Sequence, residues 1–154
     1  MLLSITPLIF FSETLNFIAK FWTQSVFWLL RNICGLNYRL EGKEQISETP
    51  VIYAPKHQSA WDTLLFPYHI KKSAIVMKRE LFWLPFFGWY TKKYGAIGID
   101  RGAGGAAIRQ LLKDARKSVA AGRPIIIFPE GTRTPPGKTG NYQSGVAALY
   151  RDLK

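Results

Sequence analysis

His57 and Asp62 stand five positions apart in the segment His57-Gln58-Ser59-Ala60-Trp61-Asp62, and an imidazole beside a carboxylate is a proton-transfer pair. On a regular helix an advance of five residues turns a side chain by about 140°, so the two would face apart. They meet only if His57 lies in a turn before a helix that Asp62 begins. Pro55 favours that turn, because a proline and the residue before it prefer extended or turn geometry. A carboxylate bonded to one ring nitrogen fixes the tautomer and leaves the other nitrogen to take a proton. The second histidine, His69, has no carboxylate five residues on and reads as a cation at a helix C-terminus or as a packed residue.

Two further blocks follow apolar runs: Gly95-Ala96-Ile97-Gly98-Ile99-Asp100-Arg101 and Phe128-Pro129-Glu130-Gly131-Thr132-Arg133-Thr134. The Arg101 guanidinium can hold two phosphate oxygens at once, with Asp100 expected to steady it. Gly131 permits a positive φ and close backbone approach, which suits an anion-binding nest near Arg133. The chain has no nucleotide-phosphate loop, metal-ligand cluster or GxSxG elbow, so the expected chemistry uses no metal.

The elements that must position these blocks alternate between short strands and helices. Strands are expected at Tyr38–Gly42, Val51–Ala54, Ala74–Lys78, Ala96–Ile99 and Ile125–Phe128. Helices are expected at Asp62–Ile70, Phe86–Lys93 and Gly104–Ala121. In the last of these Ile108, Leu111, Leu112, Ala115 and Val119 share a face, and Gly122 and Pro124 stop the helix. The run Leu149–Lys154 reads as an uncapped helix. The expectation is one α/β domain over residues 36–154, with a mixed sheet, flanking helices and the three blocks beyond strand ends. Residues 1–35 form a separate N-terminal segment.

That segment reads as membrane-associated. Leu2–Phe11 is apolar but broken by Pro7, too short for a bilayer that needs about 20 residues. Ser12, Glu13 and Thr14 are expected to cap a second helix in which Leu15, Ile18, Trp22, Val26, Leu29, Leu30 and Ile33 recur at helical spacing. Lys20 within it disfavours a true span, so an interfacial helical hairpin is expected. The single Cys34 forms no internal disulfide and implies a reducing compartment.

The 154 residues suffice for one real core, since a domain of this size buries roughly 70% of its unfolded surface. Against 10 Asp and Glu stand 21 Lys and Arg, a net charge of +11. That balance calls for an anionic partner: nucleic acid, acidic lipid headgroups or a phosphorylated substrate. Aromatics beside basic residues favour a membrane surface. The aromatic run Leu81–Tyr90 reads equally as the lining of an acyl groove or as core and membrane-facing surface.

The three blocks, in this order, resemble those of the glycerolipid acyltransferases, specifically the 1-acylglycerol-3-phosphate acyltransferase family, over residues 50 to 145. The resemblance implies that His57 and Asp62 are the catalytic dyad, with His57 deprotonating an acceptor hydroxyl that attacks an acyl thioester. It implies acceptor-phosphate contacts from Arg101, Glu130, Gly131, Thr132 and Arg133, and no cofactor beyond acyl-CoA or acyl carrier protein as co-substrate. The implied reaction converts lysophosphatidic acid to phosphatidic acid in phospholipid synthesis. Implied partners are the two substrates, membrane lipids and acyl carrier protein, without nucleic acid, and the implied location is the cytoplasmic face of a bacterial inner membrane. A glycerol-3-phosphate or other lysophospholipid acyltransferase is the alternative within the class, and a non-catalytic anionic-lipid or RNA-binding module the alternative outside it. The sequence departs from the family at Gly98, where an aromatic residue is frequent, and at Lys56, where asparagine is. The family's proline-containing fourth block is also missing, so a fragment is expected.

Overall fold

A computed structural model describes residues 12–47 and 49–154. The chain divides into two compact units at Gln45–Ile46.

The first unit contains helix α1, Ser12–Cys34. Phe17, Ile18, Phe21, Trp22, Trp28, Leu29 and Ile33 are exposed along it. Its polar side chains turn back on its own backbone: the Ser25 hydroxyl donates to the Phe21 carbonyl at 2.8 Å and the Asn32 amide to the Trp28 carbonyl at 2.7 Å. This satisfies polar groups that would otherwise need water. Phe27 and Tyr38 pack ring to ring at 5.7 Å. The Tyr38–Gly42 strand does not form. Residues 35–42 are irregular, because no described strand lies alongside to complete a ladder. Leu2–Phe11, the first arm of the expected hairpin, lies outside the described residues, as do the Ser12 and Glu13 side chains expected to cap its second helix.

The second unit is an α/β domain. Its strands are β1 (Ile52–Tyr53), β2 (Ala74–Lys78), β3 (Ile97–Ile99) and β4 (Ile125–Ile126). They lie in the order β1-β4-β2-β3, and every pairing is parallel. The expected mixed sheet is therefore a parallel one: each strand returns through a helix or long crossover, so successive strands enter from the same side. The helices are α2 (Asp62–His69), α3 (Phe87–Tyr94), α4 (Gly105–Ala120) and α5 (Ser144–Leu153).

Packing follows from the apolar patterns. Ile125 and Ile126 on β4 are fully buried, as an inner strand of a parallel sheet requires. Leu111 and Ala115 of α4 and Leu149 of α5 join Ala74, Ile97, Ile125 and Ile127 in one core. Arg116 on α4 holds Asp152 on α5, its Nε donating to Oδ2 at 2.7 Å. At the sheet's amino edge Arg123 donates to the carbonyls of Lys72 at 2.9 Å, Ser73 at 3.3 Å and Tyr94, tying β4 to the start of β2 and the end of α3. The opposite, carboxyl edge is left to the three blocks.

Candidate active site

Parallel pairing puts the carboxyl ends of all four strands on one side, and each block leaves the sheet there. His57 follows β1, Glu130 follows its neighbour β4, and Arg101 follows β3.

The first block forms the turn that the spacing demands. Asp62 opens α2, and its carboxylate reaches back over residues 57–59. Oδ2 accepts the N–H groups of Gln58 at 2.6 Å and Ser59 at 2.8 Å, and Oδ1 accepts the Ser59 hydroxyl at 3.2 Å. His57 Nδ1 lies 3.2 Å from Asp62 Oδ2, both side chains being largely enclosed. Burial pushes the Asp62 carboxyl up, but the amides of Ser59 and Gln58, the imidazole and the Ser59 hydroxyl outweigh it, so the group titrates below its usual range. The carboxylate stays charged, and a donor at Nδ1 leaves Nε2 to take a proton.

Two tertiary contacts then fix the imidazole. Its ring stacks on Phe128 with centroids 4.2 Å apart and planes 25° apart, and Phe66 meets Phe128 edge-on at 6.1 Å. Phe128 is thus the floor under His57. The His57 backbone is held from the third block: its N–H donates to Glu130 Oε2 at 3.0 Å, and its carbonyl accepts the Thr134 N–H at 2.8 Å. The Thr134 hydroxyl lies 3.2 Å from both that carbonyl and Glu130 Oε1.

These contacts bear on the residues expected at an acceptor phosphate. Glu130 is 4% exposed and both its oxygens are engaged, one by the His57 amide and one by Thr134. Gly131 has φ +64, the left-handed conformation that favours glycine, and its N–H closes the turn onto the Phe128 carbonyl at 3.0 Å. Thr132 and Arg133 are exposed beyond that turn, and Arg101 is exposed beyond β3. Asp100 does not hold Arg101. It caps the following turn, accepting the Gly102 N–H at 3.0 Å, and its other oxygen lies 3.6 Å from Arg79 at the end of β2. The cap turns the carboxylate forward onto the amide two residues on, as an N-cap does.

The departures from the family pattern also find structural counterparts. A Cβ on Gly98 would come within 2.4 Å of the Phe82 ring, so an aromatic from the 3-10 turn Arg79–Trp83 occupies the space a larger residue would need. Lys56 donates from Nζ to the Lys138 carbonyl, bracing the loop after the third block. Phe128, Thr134 and Ser59 were not singled out by the sequence. Phe128 carried a faint signal, as an aromatic closing the apolar run into a block, whereas the Glu130 contact to an amide 73 residues away carried none.

The family profile described as Acyltransferase matches residues 37–154. A 1-acyl-sn-glycerol-3-phosphate acyltransferase of Pseudomonas aeruginosa is 37% identical over 145 residues, covering 94% of this chain and 56% of that protein. One from Cocos nucifera is 35% identical over 118 residues, covering 76% of this chain and 38% of that protein. The crystal structure of a 1-acyl-sn-glycerophosphate acyltransferase from Thermotoga maritima superposes with a TM-score of 0.67 at 23% identity, over 91% of this chain and 56% of that one. The chain thus spans about half the length of the relatives it matches.

Proposed function

Because the chain belongs to the acyltransferase family, we propose that it transfers a fatty acyl group from a thioester of coenzyme A or acyl carrier protein to lysophosphatidic acid, forming phosphatidic acid. The observation that carries this reading is the His57–Asp62 contact, with the ring seated on Phe128 and the backbone braced by Glu130 and Thr134.

Asp62 holds the Nδ1 proton, and His57 Nε2 removes the proton of the acceptor hydroxyl as its oxygen attacks the thioester carbonyl. The tetrahedral adduct collapses, the carbon–sulfur bond breaks, and the departing thiolate takes the proton back from His57. The acyl group passes directly to the acceptor without a covalent enzyme intermediate.

In this reading Arg101 and Arg133 bind the acceptor phosphate, where exposure suits a ligand that must arrive and leave. Thr132 and Gly131 shape the turn that presents Arg133. Glu130 acts through His57: a buried carboxylate already accepting two hydrogen bonds favours positioning over contact with an anion. Among the described residues no helix is long and apolar enough to cross a membrane. The exposed apolar stripe of α1, flanked by Lys20 and Arg31, supports lying in a membrane interface; the location proposed with this activity is the cytoplasmic face of a bacterial inner membrane.

The test is thioester consumption in detergent with a panel of acceptors, comparing wild type with His57→Ala. Turnover with lysophosphatidic acid that His57→Ala abolishes is the expected result. Preference for glycerol-3-phosphate or a lysophospholipid without a terminal phosphate would move the protein to a sister activity. Absence of turnover with every acceptor would overturn the assignment.

A further inference from the structure

Burial separates the two readings of Leu81–Tyr90. Trp83 is 83% exposed, Phe86 60% and Trp89 54%, with Leu84 and Phe87 also exposed, while Phe82 turns inward onto Gly98. Phe86 in addition has φ 62, a conformation that a bulky side chain adopts only at a cost. An aromatic cluster left in water forfeits the main driving force of folding, and a strained residue at its centre adds to the loss. Neither feature serves the core.

The segment's place in the fold supplies a use. β2 ends at Lys78, and the 3-10 turn Arg79–Trp83 follows directly. In a parallel sheet this puts the aromatic cluster beyond the edge that carries His57, Glu130 and Arg101. On that edge the exposed cations Lys78, Arg79 and Arg101 stand beside the cluster, against Glu80 and Asp100, in a chain of net charge +11.

We propose that this cluster is a bilayer-docking surface belonging to the α/β unit itself, seating Trp83, Leu84, Phe86 and Trp89 at the headgroup level of an anionic phospholipid membrane. Tryptophan and phenylalanine with a basic surround suit that depth, where rings meet the acyl boundary and cations meet lipid phosphates. Docking on this edge presents the candidate active site to lipids that need not leave the membrane completely. The contact is separate from α1 and does not require the acyl-transfer reading.

The test uses the full chain with Trp22, Trp28, Trp61 and Trp89 replaced by Phe, leaving Trp83 as the sole tryptophan. It is mixed with phosphatidylglycerol–phosphatidylcholine vesicles, with and without brominated acyl chains, in the absence of any acyl donor. The expected result is a blue shift of Trp83 emission on vesicle addition, quenching by brominated lipid, and weakening of both in high salt. In the otherwise native chain, Trp83→Ser with Phe86→Ser should lower vesicle affinity about tenfold while far-UV circular dichroism is unchanged. Co-sedimentation with vesicles while Trp83 stays water-exposed and unquenched would overturn the proposal, since α1 would then hold the protein alone. A blue shift that tracks protein concentration without vesicles would also overturn it, showing a second copy on the patch.

Discussion

Beyond β1 and β4 the His57–Asp62 pair, Glu130 and Thr134 are hydrogen-bonded into place, whereas beyond β2 and β3 Arg101 and Trp83 stand in solvent. On the first side Asp62 accepts three hydrogen bonds from the turn besides its contact with His57, and the His57 backbone is tied at both its N–H and its carbonyl. On the second side Arg101 and Trp83 are exposed, and Asp100 is engaged with Gly102 and Arg79. One edge of a single sheet thus carries a rigid half and an open half. Proton transfer demands placement to a fraction of an ångström, so its residues are over-determined. Gripping a lipid headgroup rewards reach and adaptability, so cations and aromatics there are left loose.

The strongest way to break this contrast is at the rigid half. His57→Ala should lower turnover by about 10² to 10⁴ or more while circular dichroism stays native, and Asp62→Asn should also be severely impaired. Near-normal turnover in folded His57→Ala would remove the reason for the rigidity.

At the exposed cations, Arg101 in the open half and Arg133 past the Gly131 turn, substitution by Ala should raise the acceptor KM about ten- to a hundredfold, the worth of a charged hydrogen bond of about 1.5 to 3 kcal/mol. The donor KM and the melting temperature should hardly change, and lysine should rescue only in part. Equal loss for donor and acceptor with a lowered melting temperature would place these arginines in the fold instead.

Glu130 sharpens the boundary between the halves. Glu130→Ala leaves the His57 amide without its partner, so stability should fall by about 1 to 3 kcal/mol. A displaced imidazole should cost about ten- to a hundredfold in kcat. A rise in acceptor KM at unchanged kcat would instead return Glu130 to the phosphate.

The smallest effect is a pH dependence. Asp62 titrates below its ordinary value of 3.8 in the folded protein, so its charged form is favoured by folding. That contribution is present above the unfolded value and is lost as pH falls through the lower folded one. Thermal melts from pH 7 to pH 3 should therefore show the gap between wild type and Asp62→Asn narrowing only below about pH 4. A gap that narrowed between pH 7 and 5 would show that another group carries the effect.

Local chemistry decided much of this molecule in advance. The turn at His57, the start of α2 at Asp62, the buried face of α4 and its end before Gly122 and Pro124 all follow from short-range geometry and from the period of the apolar residues. The dyad was legible because its two members lie within one turn of chain. Contacts across the sheet were not, because they depend on which strands become neighbours. Glu130 reaches His57 across 73 residues and Thr134 across 77 only because β4 inserts beside β1. The same adjacency slides Phe128 under the imidazole, and the β2–β3 pairing brings Phe82 onto Gly98 and Arg79 to Asp100. The expected strand at Tyr38–Gly42 fails for the converse reason: a strand exists only where a partner completes its ladder. A single sequence specifies which residues can do chemistry, and strand order, a property of the whole packed core, decides which of them are held still and which are left in solvent.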